Sequence, residues 1–298
     1  TQFYIYYFYF MFEKIKIIEC PRDAMQSIKT FIPTNIKLSY LQKLVNVGFD
    51  VIDIGSFVSH KAIPQLADSA TVIESIDLSN SNSELLVIVA NKQGAINACK
   101  YDKISFIGYP FSISENFQIR NTNKSIKDSE KELAEILEIA DRANKKVVVY
   151  LSMCFGNPYG DPWNVEIVNH WILTLIDMNV KIISLSDTIG TSNKESIKTI
   201  FSSVIKNHPK IEFGAHLHSD PNTCHEKIKS ALEAGCSRFD GVIKGFGGCP
   251  MASNELVGNI PTEDILYVLN SKNISTNINH KLFDKCYNYS AEIFNKFK

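Results

Sequence analysis

The chain has 298 residues, 45% of them hydrophobic, with 31 basic against 32 acidic side chains and a formal net charge of −1. That length and apolar content suffice for one large core, and the near-neutral balance supplies no global field to draw the protein to nucleic acid or an anionic membrane surface. The seven cysteines (Cys20, Cys99, Cys154, Cys224, Cys236, Cys249 and Cys286) are odd in number, irregularly spaced and without a C-x-x-C pair. This argues against a disulfide framework or a closed structural zinc site, and for free thiols in a reducing, cytoplasmic setting.

Residues 1–10, TQFYIYYFYF, are apolar and aromatic but far shorter than the roughly 20 residues a spanning helix needs. They lack the basic start and small-residue cleavage site of a secretory signal. A disordered or non-native N-terminal segment is expected there, with residues 11–298 folding as a single domain. Short runs rich in Ile, Val, Phe or Tyr predict strands at 14–19, 51–55, 85–90, 104–109, 146–151, 181–185, 210–216 and 238–243. Between them the spacing turns helical. One helix follows Thr34, with Leu38, Leu41, Leu44 and Val45. A second covers 125–143, with Ser125 as N-cap and Leu133, Ile136, Leu137 and Ala140 on one face. Others cover 162–178, 193–206 and 222–234, the last stopped by Gly235. Beyond Leu269 the chain reads as loop plus terminal helix.

Eight strand–helix repeats predict an α/β fold, a (β/α)8 TIM barrel in one domain. A doubly wound open sheet is the competing architecture. The barrel is favoured because Arg22, Asp23, Ser56, Ser152, Asp187, Thr188, His216 and His218 all fall at or just past strand C-terminal ends, where barrels build their sites.

His216-Leu217-His218 ends an apolar run. Side chains two apart on a strand share a face, so both imidazoles project together. With Asp23 and Asn259 they form a mixed nitrogen and oxygen set. Such a set suits a divalent cation in octahedral geometry, Mg²⁺ or Mn²⁺, better than closed zinc. Arg22 at the mouth can hold a carboxylate or a developing enolate oxygen. Cys249, among the glycines of Gly245-Phe-Gly-Gly-Cys-Pro250, can act as proton donor or nucleophile. Ser152 can touch substrate and Asp187 can orient a ligand or pair with a cation. Arg120 and Lys124 can meet phosphate. Each has an ordinary reading when taken singly: bonded core histidines, an Arg in a Pro-Arg-Asp turn, an incidental loop cysteine, a turn leading into a helix. No P-loop, dinucleotide fingerprint or G-x-S-x-G elbow is present.

The motif set resembles hydroxymethylglutaryl-CoA lyase, of the metal-dependent lyase and synthase superfamily. The resemblance spans residues 14–269. It rests on Glu19-Cys-Pro-Arg-Asp-Ala-Met-Gln26, Ser56-Phe-Val-Ser59, Gly156-Asn-Pro-Tyr159, Ser186-Asp-Thr-Ile-Gly190, His216-Leu-His218, the Gly245–Pro250 loop and Gly258-Asn259. It implies a pyruvate carboxyltransferase-like TIM barrel and a homodimer acting on an acyl-CoA. Asp23, His216, His218 and Asn259 would be metal ligands, and Arg22 and Cys249 catalytic groups. Asp53 and Ser56 would be site residues, and Ser152, Asp187 and Thr188, from their place at strand ends, are expected beside substrate with them. The implied reaction splits 3-hydroxy-3-methylglutaryl-CoA into acetyl-CoA and acetoacetate. Asp23 or a nearby histidine would be the base, and Cys249 or His216 the proton donor. The chain departs from the family pattern at Asp53, where a glutamate is expected. A shorter acid implies a closer or water-bridged partner. It departs again at Ser219, where an acid is usual. Rival readings are a condensing synthase of the same superfamily, disfavoured because Gly247-Gly248-Cys249 replaces a Gly-Glu-Arg-type loop, and a barrel that binds without catalysis.

Overall fold

The computed structural model describes residues 14–248 and 257–297. Eight strands alternate with helices: β1 (Lys16–Glu19), β2 (Val51–Ser56), β3 (Glu84–Ile88), β4 (Ile104–Ser112), β5 (Lys146–Ser152), β6 (Ile182–Asp187), β7 (Glu212–Leu217) and β8 (Arg238–Gly241). Every neighbour pair is parallel. β1 also pairs with β8, Lys16 opposite Arg238 and Glu19 opposite Gly241, so the sheet closes in the order β1 to β8. That closing pair excludes the open-sheet alternative, which would leave β1 or β8 as edges. The strands read as nearly continuous apolar runs, such as Val147-Val-Val-Tyr-Leu151 in β5, and are buried almost throughout. One face packs on helices and the other fills the barrel.

The helices follow from local chemistry. The Ile126–Arg142 helix buries Ile126, Ser129, Leu133, Ile136 and Ala140, and the Ser125 side chain accepts from the Asp128 amide as its cap. Leu137, expected on the same face, is only partly buried. Asn91, Ser114, Asn164 and Asn193 cap their helices in the same way. Gly235, at φ +96°, follows the Cys224–Glu233 helix. Five helices were not marked by the sequence pattern: Pro21–Gln26, Ser69–Ser75, Lys92–Ala98, Glu115–Thr122 and Thr262–Ser271. Pro21-Arg22-Asp23, read as a turn, opens the first of them with proline in the first turn. β8 ends at Gly241, two residues early, because a 3₁₀ turn takes over at Ile243. The tail does form a helix, His280–Phe297, which packs Phe294 against Tyr40 and Phe246. Residues 1–10 and Cys249 lie outside the described residues.

The barrel interior is not uniformly apolar. Arg238 on β8 is wholly buried. It fits because Gly214 on β7 leaves its place open: a Cβ there would lie 3.0 Å from Arg238 Cδ and 3.1 Å from Ser184 Oγ.

Candidate active site

β1 delivers the chain to Cys20, and the helix beginning at Pro21 turns Arg22 and Asp23 into the barrel mouth. β7 carries His216 to the same place, and His218 lies one residue past its end. One ligand atom from each of Asp23, His216 and His218 lies within 4.8 Å of the others. The two imidazole centres are 5.6 Å apart. Asn259 arrives on an antiparallel bridge to His218. Its Nδ2 donates to Asp23 Oδ2 at 2.8 Å and to the Phe246 carbonyl at 3.0 Å. Four residues separated by up to 236 positions are therefore in one cluster.

The electrostatics fit a divalent cation. Burial, with the neighbouring His216 charge, drives the His218 pKa down to about 4, so its ring is neutral near pH 7. Its Nδ1 is buried without a hydrogen-bond partner, a state that costs on the order of 1–3 kcal/mol unless something binds it. Burial pushes the Asp23 carboxyl up, but Arg22, His216, His218 and Asn259 outweigh that and hold it below the usual range. A carboxylate, a neutral imidazole and an amide carbonyl are donors that Mg²⁺ or Mn²⁺ accepts.

Arg22 is almost fully committed. Its Nε and Nη2 donate to Asp53 Oδ2 at 2.9 and 2.6 Å. Its Nη1 donates to Asp23 Oδ1 at 3.1 Å and to Gln26 Oε1 at 2.8 Å. A guanidinium has five N–H bonds, so one, on Nη2, is left for a ligand. The shortened acid at position 53 meets Arg22 directly, but through one oxygen. Asp53 Oδ1 is buried without a partner, and burial raises the Asp53 pKa to about 6 despite the Arg22 charge.

A cavity of about 500 Å³ opens over this cluster, lined by Arg22, Asp23, His216 and His218 and also by Ser152 and Thr188. Arg120 and Lys124 lie on its wall. Asp53, Ser56 and Asp187 do not line it. Ser56 turns its hydroxyl to the Ile88 carbonyl at 3.1 Å and receives the Val58 amide at 3.3 Å, fixing the turn after β2. Asp187 accepts from the Thr191 and Ser192 amides and from Lys227 Nζ at 2.8 Å. Lys227 also donates to the carbonyls of Gly190 and His218, each at 2.8 Å. Asp187 and Ser56 are thus turned to partners of their own rather than to the cavity. A strand end sets where a residue sits, but here local backbone donors and acceptors claim the side chains.

Sequence reasoning missed three contributors. Gln26 lies within the quoted motif and bonds both Arg22 and Asp23. Lys227 is the buried counter-ion that holds the His218 carbonyl. Asp240 on β8 approaches His216 Nδ1 at 3.1 Å. The alternation that flags His216 and His218 would have found Asp240 as well, two residues on from Arg238. The glycine-rich segment leaves β8 against this cluster. Gly247 is at φ +86°, and a Cβ there would lie 2.6 Å from the Asp23 carbonyl oxygen, so only glycine passes.

A closed parallel barrel with a carboxylate, two imidazoles and a committed arginine at its mouth defines a TIM-barrel enzyme of the metal-dependent carbon–carbon lyase class. The chain belongs to the HMGL-like family, whose model matches residues 14–288. It is 33% identical over 276 residues to a rat (Rattus norvegicus) protein named 3-hydroxy-3-methylglutaryl-CoA lyase, cytoplasmic, covering 91% of this chain and 79% of the relative. The crystal structure of the Bacillus subtilis HMG-CoA lyase superposes with a TM-score of 0.88 at 31% identity, covering 95% of this chain and 94% of that one. An Acinetobacter baumannii HMG-CoA lyase in complex with coenzyme A and 3-methylmalate gives 0.87 at 26% identity, covering 95% and 92%. No helix among the described residues is long and apolar enough to cross a membrane.

Proposed function

We propose that this chain cleaves 3-hydroxy-3-methylglutaryl-CoA into acetyl-CoA and acetoacetate. The observation that carries the reading is the convergence of Asp23, His216 and His218 beside Arg22, in a chain of the HMGL-like family. Asp23, His216, His218 and Asn259 would hold Mg²⁺ or Mn²⁺, which when bound supplies Lewis-acid polarisation and a template for the substrate oxygens.

The chain's own residues do the rest. The C3 hydroxyl loses its proton to a base, and the C2–C3 bond breaks as C3 becomes the ketone of acetoacetate. The electron pair passes into the thioester as an enolate, whose oxygen takes the one free N–H of Arg22 Nη2. A proton then returns to the enolate carbon to give acetyl-CoA. Asp23, whose carboxyl is held below the usual range against burial by Arg22, His216, His218 and Asn259, is the candidate base, and Cys249 of the Gly245–Pro250 segment is the candidate for returning the proton. Ser152 and Thr188 border the acyl chain, and Arg120 and Lys124 on the cavity wall are suited to the CoA phosphates. The six described cysteines are all free, which supports a reducing, cytoplasmic location.

The test is release of acetoacetate from the thioester by purified protein with Mg²⁺ or Mn²⁺. Turnover that is lost with a chelator and regained on adding the ion supports the reading. Absence of acetoacetate with the ion bound refutes it.

A further inference from the structure

Beneath the cluster at the mouth, a file of charged side chains runs down the barrel. Lys16 Nζ meets Glu212 Oε2 at 2.5 Å, and Glu212 Oε1 meets Arg238 Nη1 at 3.1 Å. Arg238 Nε stands 3.9 Å from Asp240 Oδ1, and Asp240 Oδ2 is 3.1 Å from His216 Nδ1. Ser184 Oγ also donates to Asp240 Oδ2, at 3.2 Å. Arg238 and Asp240 are both buried. Such a pair is an expensive way to fill a core, because desolvating each charge costs several kcal/mol and apolar residues of similar volume pack at least as well. Its bonding is also incomplete: Arg238 Nε and Nη2 and Asp240 Oδ1 have no hydrogen-bond partner. A need of the barrel for stability does not explain it. A need of His216 does.

We propose that Asp240, backed by Arg238, is a positioning residue that fixes His216 with its proton on Nδ1 and so presents Nε2 to the cation. A carboxylate beside a guanidinium offers only acceptors. Ser184 already donates to Oδ2, so His216 Nδ1 must be a donor there too. The nitrogen that remains is Nε2, and the carboxylate bond makes it the more basic ligand. Arg238 supplies the balancing positive charge without touching the imidazole. Cys20, whose Sγ also lies within 4.8 Å of His216 and Asp240, offers a rival arrangement: a second ion site that would need Nδ1 stripped of its proton. The Nδ1–Asp240 bond favours support over a second site.

The inference rests on the proposed cation site, and the experiment separates the two. Metal-free protein is titrated with Mn²⁺ and the bound ion followed by electron paramagnetic resonance. If the wild-type chain binds no ion, the cation reading itself fails. If it binds, D240N should weaken the affinity 10- to 100-fold with an unchanged circular dichroism spectrum. Ser184→Ala, which keeps the carboxylate and its bond to His216 Nδ1, should stay within about threefold, well short of the loss in D240N. Cys20→Ala should also leave the affinity within about twofold, since the Cys20 thiol donates to the Ile18 carbonyl and bonds neither His216 nor Asp240 in the assigned arrangement. An unchanged affinity in folded D240N overturns the proposal, as does a loss in Cys20→Ala equal to that in D240N. A second readout does not depend on any variant folding. In ¹⁵N-histidine-labelled wild-type protein with Mg²⁺, the His216 proton should sit on Nδ1 and exchange slowly. A proton on Nε2 overturns the proposal.

Discussion

Replacing Glu19 with Gln probes how the barrel holds both ends of the glycine-rich segment. Glu19 is wholly buried. Its Oε1 accepts the Ile243 amide at 2.9 Å and its Oε2 accepts the Thr262 hydroxyl at 2.5 Å. It thus ties β1 to the two points between which residues 246–258 run. Burial raises its pKa from 4.5 to about 8, against the pull of those two bonds. Between those values the folded protein keeps the proton and the unfolded chain has lost it. The stability from this group is therefore complete below pH 4.5 and lost as pH rises through 8. The slope is about 1.4 kcal/mol per pH unit, or roughly 5 kcal/mol across the window. Glutamine fills the same space, accepts from Ile243 and donates to Thr262, but carries no proton to lose. Urea unfolding followed through Trp163 and Trp171 from pH 5 to pH 9 should show E19Q gaining on the wild type with that slope, up to pH 8. Parallel stability curves for the two proteins would refute the reasoning.

Arg22→Gln should lower kcat by about 10²–10³, the scale of a lost transition-state donor, while Mn²⁺ affinity stays within a few-fold. Near-normal turnover would remove Arg22 from the mechanism. Asp53→Ala leaves the Arg22 guanidinium buried without its main partner and should cost about 3–5 kcal/mol in urea unfolding. A loss under 1 kcal/mol would mean that Asp23 and Gln26 suffice. Lys227→Met strands the Asp187 carboxylate and frees the His218 carbonyl. It should destabilise by a similar 3–5 kcal/mol, and adding Asp187→Asn should recover part of the loss. No recovery in the double variant would count against a direct pair.

The eight strands were legible because a parallel barrel buries both faces of each, leaving short Ile- and Val-rich runs between polar helix starts. The long amphipathic helices were legible for the same reason, with Ser125 and Gly235 marking ends. The short helices such as Pro21–Gln26 were not, since six to eight residues show too little of a 3.6-residue period. At the site, alternation brought His216 and His218 together, and motif order brought Asp23 and Asn259 to them. Orientation was the part hidden in the sequence. Ser56 and Asp187 sit where expected, yet Ser56 bonds backbone and Asp187 bonds backbone and Lys227 rather than facing the cavity. Asp240 lay within reach of the same alternation on β8, whereas Lys227 folds back from the helix after β7 onto the His218 carbonyl, a contact that no spacing marks.

The central claim is that Asp23, His216, His218 and Asn259 share one cation. Titration of the metal-free chain with Mn²⁺ tests it most directly. A single tight site is expected in the wild-type protein, weakened at least about tenfold by either His218→Ala or Asp23→Asn in folded protein. An ion bound with the same affinity in both variants would contradict it.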